Sequence, residues 1–78
     1  MPEWRRQTNE ERVKLASKLK LAREEAGLTQ REVVKRLKLP SHSLISELEN
    51  GQRRLDMVEL KVLAELYGKD PAWFLRDD

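Results

Sequence analysis

The stretch from Gly27 to Gly51, GLTQREVVKRLKLPSHSLISELENG, decides how this chain of 78 residues is to be read. Thr29-x-x-Glu32 has the spacing of a capping box, in which the threonine hydroxyl accepts a backbone N–H three residues on and the glutamate reaches back. Val33, Val34 and Leu37 follow as apolar positions at helical spacing. Pro40 ends this helix, because the residue before a proline disfavours helical backbone angles. Ser41 or Ser43 then caps a second short helix, with Leu44 or Ile45 and Leu48 directed inward. Asn50-Gly51 is also a hairpin dipeptide, but its flanks are helical rather than alternating, so Gly51 reads as a left-handed helix stop. One short helix held across another by a tight turn is a minimal device for presenting side chains to a DNA groove.

The same signals extend outward in both directions. Thr8-x-x-Glu11 repeats the capping-box spacing, and Val13, Leu15, Ala16, Leu19 and Ala22 recur with helical periodicity up to a stop at Gly27. Asp56-x-x-Glu59 opens another helix, whose inward positions are to be chosen from Met57, Leu60, Val62, Leu63, Leu66 and Tyr67, with Gly68 as its stop. Asp70-Pro71 is a cap followed by a proline at the first helical position. The expectation is an all-α fold of five helices, at about residues 9–26, 30–38, 42–50, 56–67 and 71–76. Residues 1–8 are expected as a flexible arm and 9–78 as one helix-turn-helix domain.

Composition limits the possibilities. The chain is 38% apolar and 38% charged, which allows a thin core under a very polar surface. Marginal stability of that kind favours a homodimer or stabilisation by a bound partner. No run approaches the roughly 20 apolar residues of a membrane span, and MPEWRRQTNEER lacks the apolar segment of a signal peptide. A cytoplasmic location without membrane attachment is therefore expected. There are no cysteines and one histidine, His42, so neither a disulfide nor a zinc site is expected, and no cofactor. Residues 1–39 carry 11 Lys or Arg against 6 Glu, whereas residues 40–78 carry 5 basic against 8 acidic residues. That asymmetry fits a nucleic-acid partner on one face; an ordinary solvated surface is the alternative.

Leu19-x-x-Ala22-Arg23-x-x-x-Gly27-Leu28-Thr29-Gln30-x-Glu32, followed by Ile45-Ser46-x-x-Glu49-Asn50-Gly51, resembles the phage repressor and Cro type of helix-turn-helix domain, the bacterial and phage family called XRE-like. The resemblance covers roughly residues 15–76 and includes the order of five helices. The tail GQRRLDMVELKVLAELYGKDPAWFL further resembles compact versions of this domain in small regulators and antitoxins.

The resemblance implies a role for each matching position. The third helix would lie in the major groove, with Ser41, His42, Ser43, Ser46 and Glu47 facing base edges; Glu47 could equally be an outward charge or a dimer contact, and Ser41 could be occupied as a cap. Gln30 and Arg31, at the start of helix two, would contact phosphate near a helix N-terminus, a solvated side chain being the alternative for Gln30. Asn50, Gln52, Arg53 and Arg54 would grip phosphates after the recognition helix, unless the arginines are merely solvated or pair with Asp56. Arg23 and Glu49 would form a structural ion pair. Trp4-Arg5-Arg6 could touch the DNA backbone from a disordered arm.

Two departures from the family pattern concern the turn. The spacing from Gln30 to Glu49 is one residue longer than in the commonest version, and the turn glycine is replaced by Lys38 or Leu39. A looser turn is expected, leaving the register of the base contacts open by one position. Enzymatic roles find little support: neighbours such as Ser41 and His42 on a helix point about 100° apart, and no catalytic or metal-binding constellation is present. Tyr67, Trp73, Phe74 and Leu75 are expected as core or as a symmetric dimer contact. The implied function is a DNA-binding repressor or autoregulator acting as a homodimer on a palindromic operator. The competing reading is a protein-binding module on the same fold, such as an antitoxin, with a toxin or co-regulator as its partner.

Overall fold

A computed structural model describes residues 3–76; the outermost two residues of the expected arm and of the expected domain lie outside that range. Five helices follow one another: α1 (Glu3–Glu25), α2 (Gln30–Leu37), α3 (Leu44–Glu49), α4 (Met57–Tyr67) and α5 (Pro71–Leu75). The fold is all-α, and among the described residues there is no strand. α1 packs against α3, α4 and α5, while α2 packs on α3 and α4 on α5. One core joins them, with Leu19 and Ala22 from α1, Val33 and Val34 from α2, Ile45 and Leu48 from α3, and Leu60, Leu63 and Ala64 from α4. Val33 and Ile45 are fully buried, and each such side chain contributes roughly 1.5–3 kcal/mol.

The first helix starts earlier than its sequence signals indicate. Residues 3–8, expected as a flexible arm, form the first turns of α1. The Thr8 hydroxyl does not cap Glu11; it donates to the Trp4 carbonyl one turn back, at 2.7 Å. The physical reason lies upstream: from Glu3 to Gln7 nothing breaks a helix, so Thr8 is an interior position. Contacts three residues apart, Glu3 with Arg6 and Asn9 with Arg12, support the exposed turns.

The other starts follow their capping boxes. Thr29 accepts from Glu32 N and Asp56 from Glu59 N, and in both boxes the glutamate reaches back to the cap's own N–H. α3 differs. It begins at Leu44 rather than 42, because the Ser41 hydroxyl takes the Ser43 N–H at 3.2 Å and holds 41–43 as a turn. Ser43 occupies the cap position without making a side-chain cap bond.

The α2–α3 turn is closed, not loose. Lys38 takes the left-handed conformation itself, at φ 52° and ψ 47°. Its N–H bonds back to Lys35 O, and Leu39 N reaches Val34 O at 3.0 Å, the double closure of a Schellman motif. Gly51, at φ 72°, ends α3 with the same pair of bonds, Gly51 N to Leu48 O and Gln52 N to Glu47 O. A lysine therefore does at one helix end what a glycine does at another.

α5 lids the core. Tyr67 and Phe74 are buried, so neither is available as a dimer contact; of the four residues expected as core or interface, only Leu75 is well exposed. Trp73 is half-buried and meets Phe74 edge-on at 4.9 Å. Lys18 and Lys69 stand 5.3 and 4.6 Å from its ring centre, and Lys18 also donates to the carbonyls of Trp73 and Arg76. Other large exposed apolar side chains lie on α4, notably Met57, Val58 and Val62.

Candidate nucleic-acid interface

The interface is built around a buried polar junction. Arg23, late in α1, donates from Nε to Glu49 Oε2 at 2.7 Å and from Nη2 to Glu49 Oε1 at 3.2 Å. Its remaining terminal nitrogen donates to the Leu28 carbonyl at 2.7 Å, which fixes the loop between α1 and α2. The Arg23 side chain is 10% exposed and that of Glu49 3%. The bonds to Glu49 raise the guanidinium's pKa above its ordinary value, against the opposing pull of burial. Charge-assisted bidentate geometry of this kind is short and directional. Three helices, α1, α2 and α3, are tied at one point.

Gln30 joins the same junction. Its amide donates to Glu49 Oε1 at 2.9 Å across 19 residues of sequence, so this side chain is half-buried and committed to holding α2 onto α3. The sequence offered phosphate contact or a solvated side chain for Gln30, and neither includes this bond. Tyr67 lies beside the junction, where burial, and then the Glu49 carboxylate, push its hydroxyl up to about 12.

With Glu49, Ile45 and Leu48 facing inward, α3 presents Ser43, Ser46, Glu47 and Asn50 on its other side, spaced as one stripe along the helix. Asn50 donates to the Ser46 hydroxyl at 3.4 Å, which places it with the expected base-facing set as well as with the loop that follows. The family resemblance implies a phosphate contact for it. Ser41 and His42 lie in the preceding turn, exposed, and the Ser41 and Ser43 hydroxyls are 2.9 Å apart.

Beyond Gly51 the chain carries Gln52, Arg53 and Arg54, all exposed. Arg53 Nη1 is 3.9 Å from Glu47 Oε1, a loose surface pair that offsets the one carboxylate on the α3 face. Pairing with Asp56 was the alternative to phosphate contact for Arg53 and Arg54; Asp56 instead bonds within its own capping box, and Arg53 faces Glu47. Arg31 is exposed on the first turn of α2. Around one short helix, then, stand hydroxyl and amide groups that can donate and accept, flanked on both sides by cations. That arrangement suits a hydrated polyanion with readable edges.

Among the described residues no cluster of His, Asp or Glu could hold a metal ion, and no helix is long and apolar enough to cross a membrane. The family described as helix-turn-helix domain matches residues 14–73, from the middle of α1 into α5. No curated protein and no solved structure matches the chain.

Proposed function

We propose, because the chain belongs to the helix-turn-helix domain family of the XRE/Cro-like type, that it is a sequence-specific regulator of transcription that binds double-stranded DNA. The observation that carries this reading is the stripe of Ser43, Ser46, Glu47 and Asn50 on a helix anchored from beneath by Arg23, Glu49 and Gln30. α3 enters the major groove, where serine hydroxyls bond to several base edges, Asn50 suits adenine, and Glu47 accepts from cytosine N4. Ser41 and His42 reach the same groove from the turn. Arg31, Gln52, Arg53 and Arg54 neutralise phosphates on either side. A side-chain amide carries two N–H donors, so Gln30 keeps one for phosphate while it serves Glu49.

The protein acts in the cytoplasm, on the nucleoid, as a repressor or autoregulator. Two copies occupy a palindrome with half-sites one DNA turn apart, roughly 34 Å. Selection of bound duplexes from a random pool, repeated across a salt series, tests the reading. The expected result is a palindromic consensus whose affinity falls steeply with salt. A pool that enriches no sequence at any salt overturns it, and leaves a protein partner as the target of the α3 face.

A further inference from the structure

The N-terminal half of α1 lies outside the region that the family matches, and it is built for something other than the core. Residues 3–11 are exposed without exception. A helical segment of that length is marginal in water and gains nothing here from burial. Its pattern is nevertheless ordered. The stripe of α1 that meets the core is Ala16, Leu19 and Ala22. Followed toward the N-terminus at the same helical spacing, it continues as Arg12, Asn9 and Arg5. A stripe meant to cover protein would stay apolar; this one turns cationic and hydrogen-bonding.

Those side chains form one wall of an open cleft of about 650 Å³. The other walls are the segment after α3, with Arg53 and Arg54, and the end of α5, with Leu75 and Arg76. Glu3 and Glu10 lie round the helix from Arg5 and Arg12 and do not line the cleft, while Glu11, which does, has Lys14 3.4 Å away. The positive charge is thus directed, although the segment as a whole is mixed. Arg5 is stacked 4.9 Å over the Trp4 ring, which restrains its guanidinium. Arg5 and Arg12 sit two turns apart, about 10 Å along the axis, and so do not converge on one point. Cations spread along a line match a linear polyanion better than a single small anion.

We infer that this cleft receives the sugar-phosphate backbone of the duplex, beside the base pairs that α3 reads, with Arg5 and Arg12 on one wall and Arg53 and Arg54 on another. The inference rests on the DNA-binding reading and extends its footprint; α1 becomes a second grip where the family match supplies none. It contributes affinity and salt dependence without sequence preference, because phosphates carry no base identity.

The test measures affinity of the full chain for the selected consensus duplex across a salt series. Three double variants are compared with the unaltered protein: Arg5→Gln with Arg12→Gln, Arg5→Lys with Arg12→Lys, and Glu3→Gln with Glu10→Gln. Loss of the two arginines should lower the slope of log affinity against log salt by roughly 1–2 and weaken binding about tenfold near 0.1 M salt. The preferred sequence should stay the same and the melting midpoint should change little, since Arg5 is exposed and the half-buried Arg12 bonds within its own helix, to Asn9 one turn back. The lysine variant should keep the slope, and the glutamine substitutions on the opposite side should not reduce it. Trimming the duplex on both flanks should weaken the unaltered protein more than the variant that lacks Arg5 and Arg12. An unchanged slope in that variant, with selective binding intact, overturns the cleft's role alone. Failure of the unaltered protein to select any duplex overturns the DNA reading and this inference with it.

Discussion

Glu49, the last residue of α3, is buried with both carboxylate oxygens engaged, whereas Ser43, before its first, is exposed and its hydroxyl reaches only Ser41. Arg23 and Gln30 converge on the first end from two other helices; no side chain caps the second. A six-residue helix cannot hold itself together in water, so its position must come from outside. Here the outside support is concentrated at the inward end, together with Ile45 and Leu48 in the core. The outward end is left with the exposed hydroxyls of Ser41 and Ser43, which bond to one another. The difference separates two requirements: a reading helix needs a fixed angle and unspent polar groups, and one end supplies each.

Removing the anchor should have the largest effect. Glu49→Ala leaves Arg23 buried without its partner, and breaking one side of a buried pair costs about 3–5 kcal/mol. A domain of this size has total stability of that order, so the variant should be largely unfolded at 25 °C by circular dichroism. A paired substitution, Arg23→Met with Glu49→Leu, removes both charges and should recover most of the stability. An unchanged melting midpoint in Glu49→Ala would show that α3 is held by its apolar contacts alone. The adjoining Tyr67 gives the same end a signature at high pH. Its folded pKa, about 12, lies above the ordinary value of 10, so its neutral form is favoured by folding. The associated stability is complete below pH 10 and is lost as pH rises toward 12, on the order of 2 kcal/mol. Tyr67→Phe should remove that part of the alkaline loss in denaturant titrations at stepped pH.

How much of this was legible depends on the distance over which each feature is determined. The boxes at Thr29–Glu32 and Asp56–Glu59 are local, and their spacing sufficed to find both reciprocal bonds. Thr8–Glu11 has the same spacing and forms no box, because what precedes a threonine decides whether it caps a helix or lies within one. Arg23 and Glu49 are 26 residues apart; only resemblance to a family pairs them, since nothing in periodicity does. The bond from Gln30 to Glu49 was not visible at all, because it exists only once α2 has crossed α3. The aromatic residues of the tail show the same limit. Their division into buried Phe74, half-buried Trp73 and exposed Leu75 is set by α1, whose Lys18 reaches Trp73 across 55 residues.

The turn that feeds the outward end offers a smaller effect of opposite sign. Lys38 holds a left-handed conformation that a side chain disfavours, and glycine holds the equivalent place after α3. Lys38→Gly relieves the strain at some cost in unfolded-state entropy, for a net gain of about 0.5–1 kcal/mol. The melting midpoint should rise by roughly 2–8 °C. A fall instead would mean that the closed turn is stabilised by contacts that the lysine side chain itself makes.

The smallest expected effect on folding is the one that sharpens the comparison most. Thr29→Ala and Ser43→Ala remove a hydroxyl from the cap positions of consecutive helices. Thr29 bonds to Glu32 N at 3.1 Å and anchors a reciprocal box, so its loss should cost about 1 kcal/mol. Ser43 makes no cap bond, and its alanine variant should stay within about 0.5 kcal/mol of the unaltered protein. In binding to the selected duplex the order should reverse. Ser43→Ala should weaken the consensus by roughly 1 kcal/mol, or about fivefold, and relax the preference at one base pair in each half-site. Thr29→Ala, measured where it is fully folded, should leave the preference intact. If Ser43→Ala instead destabilises the fold as much as Thr29→Ala, its hydroxyl belongs to the scaffold, and base reading moves to Ser46, Glu47 and Asn50.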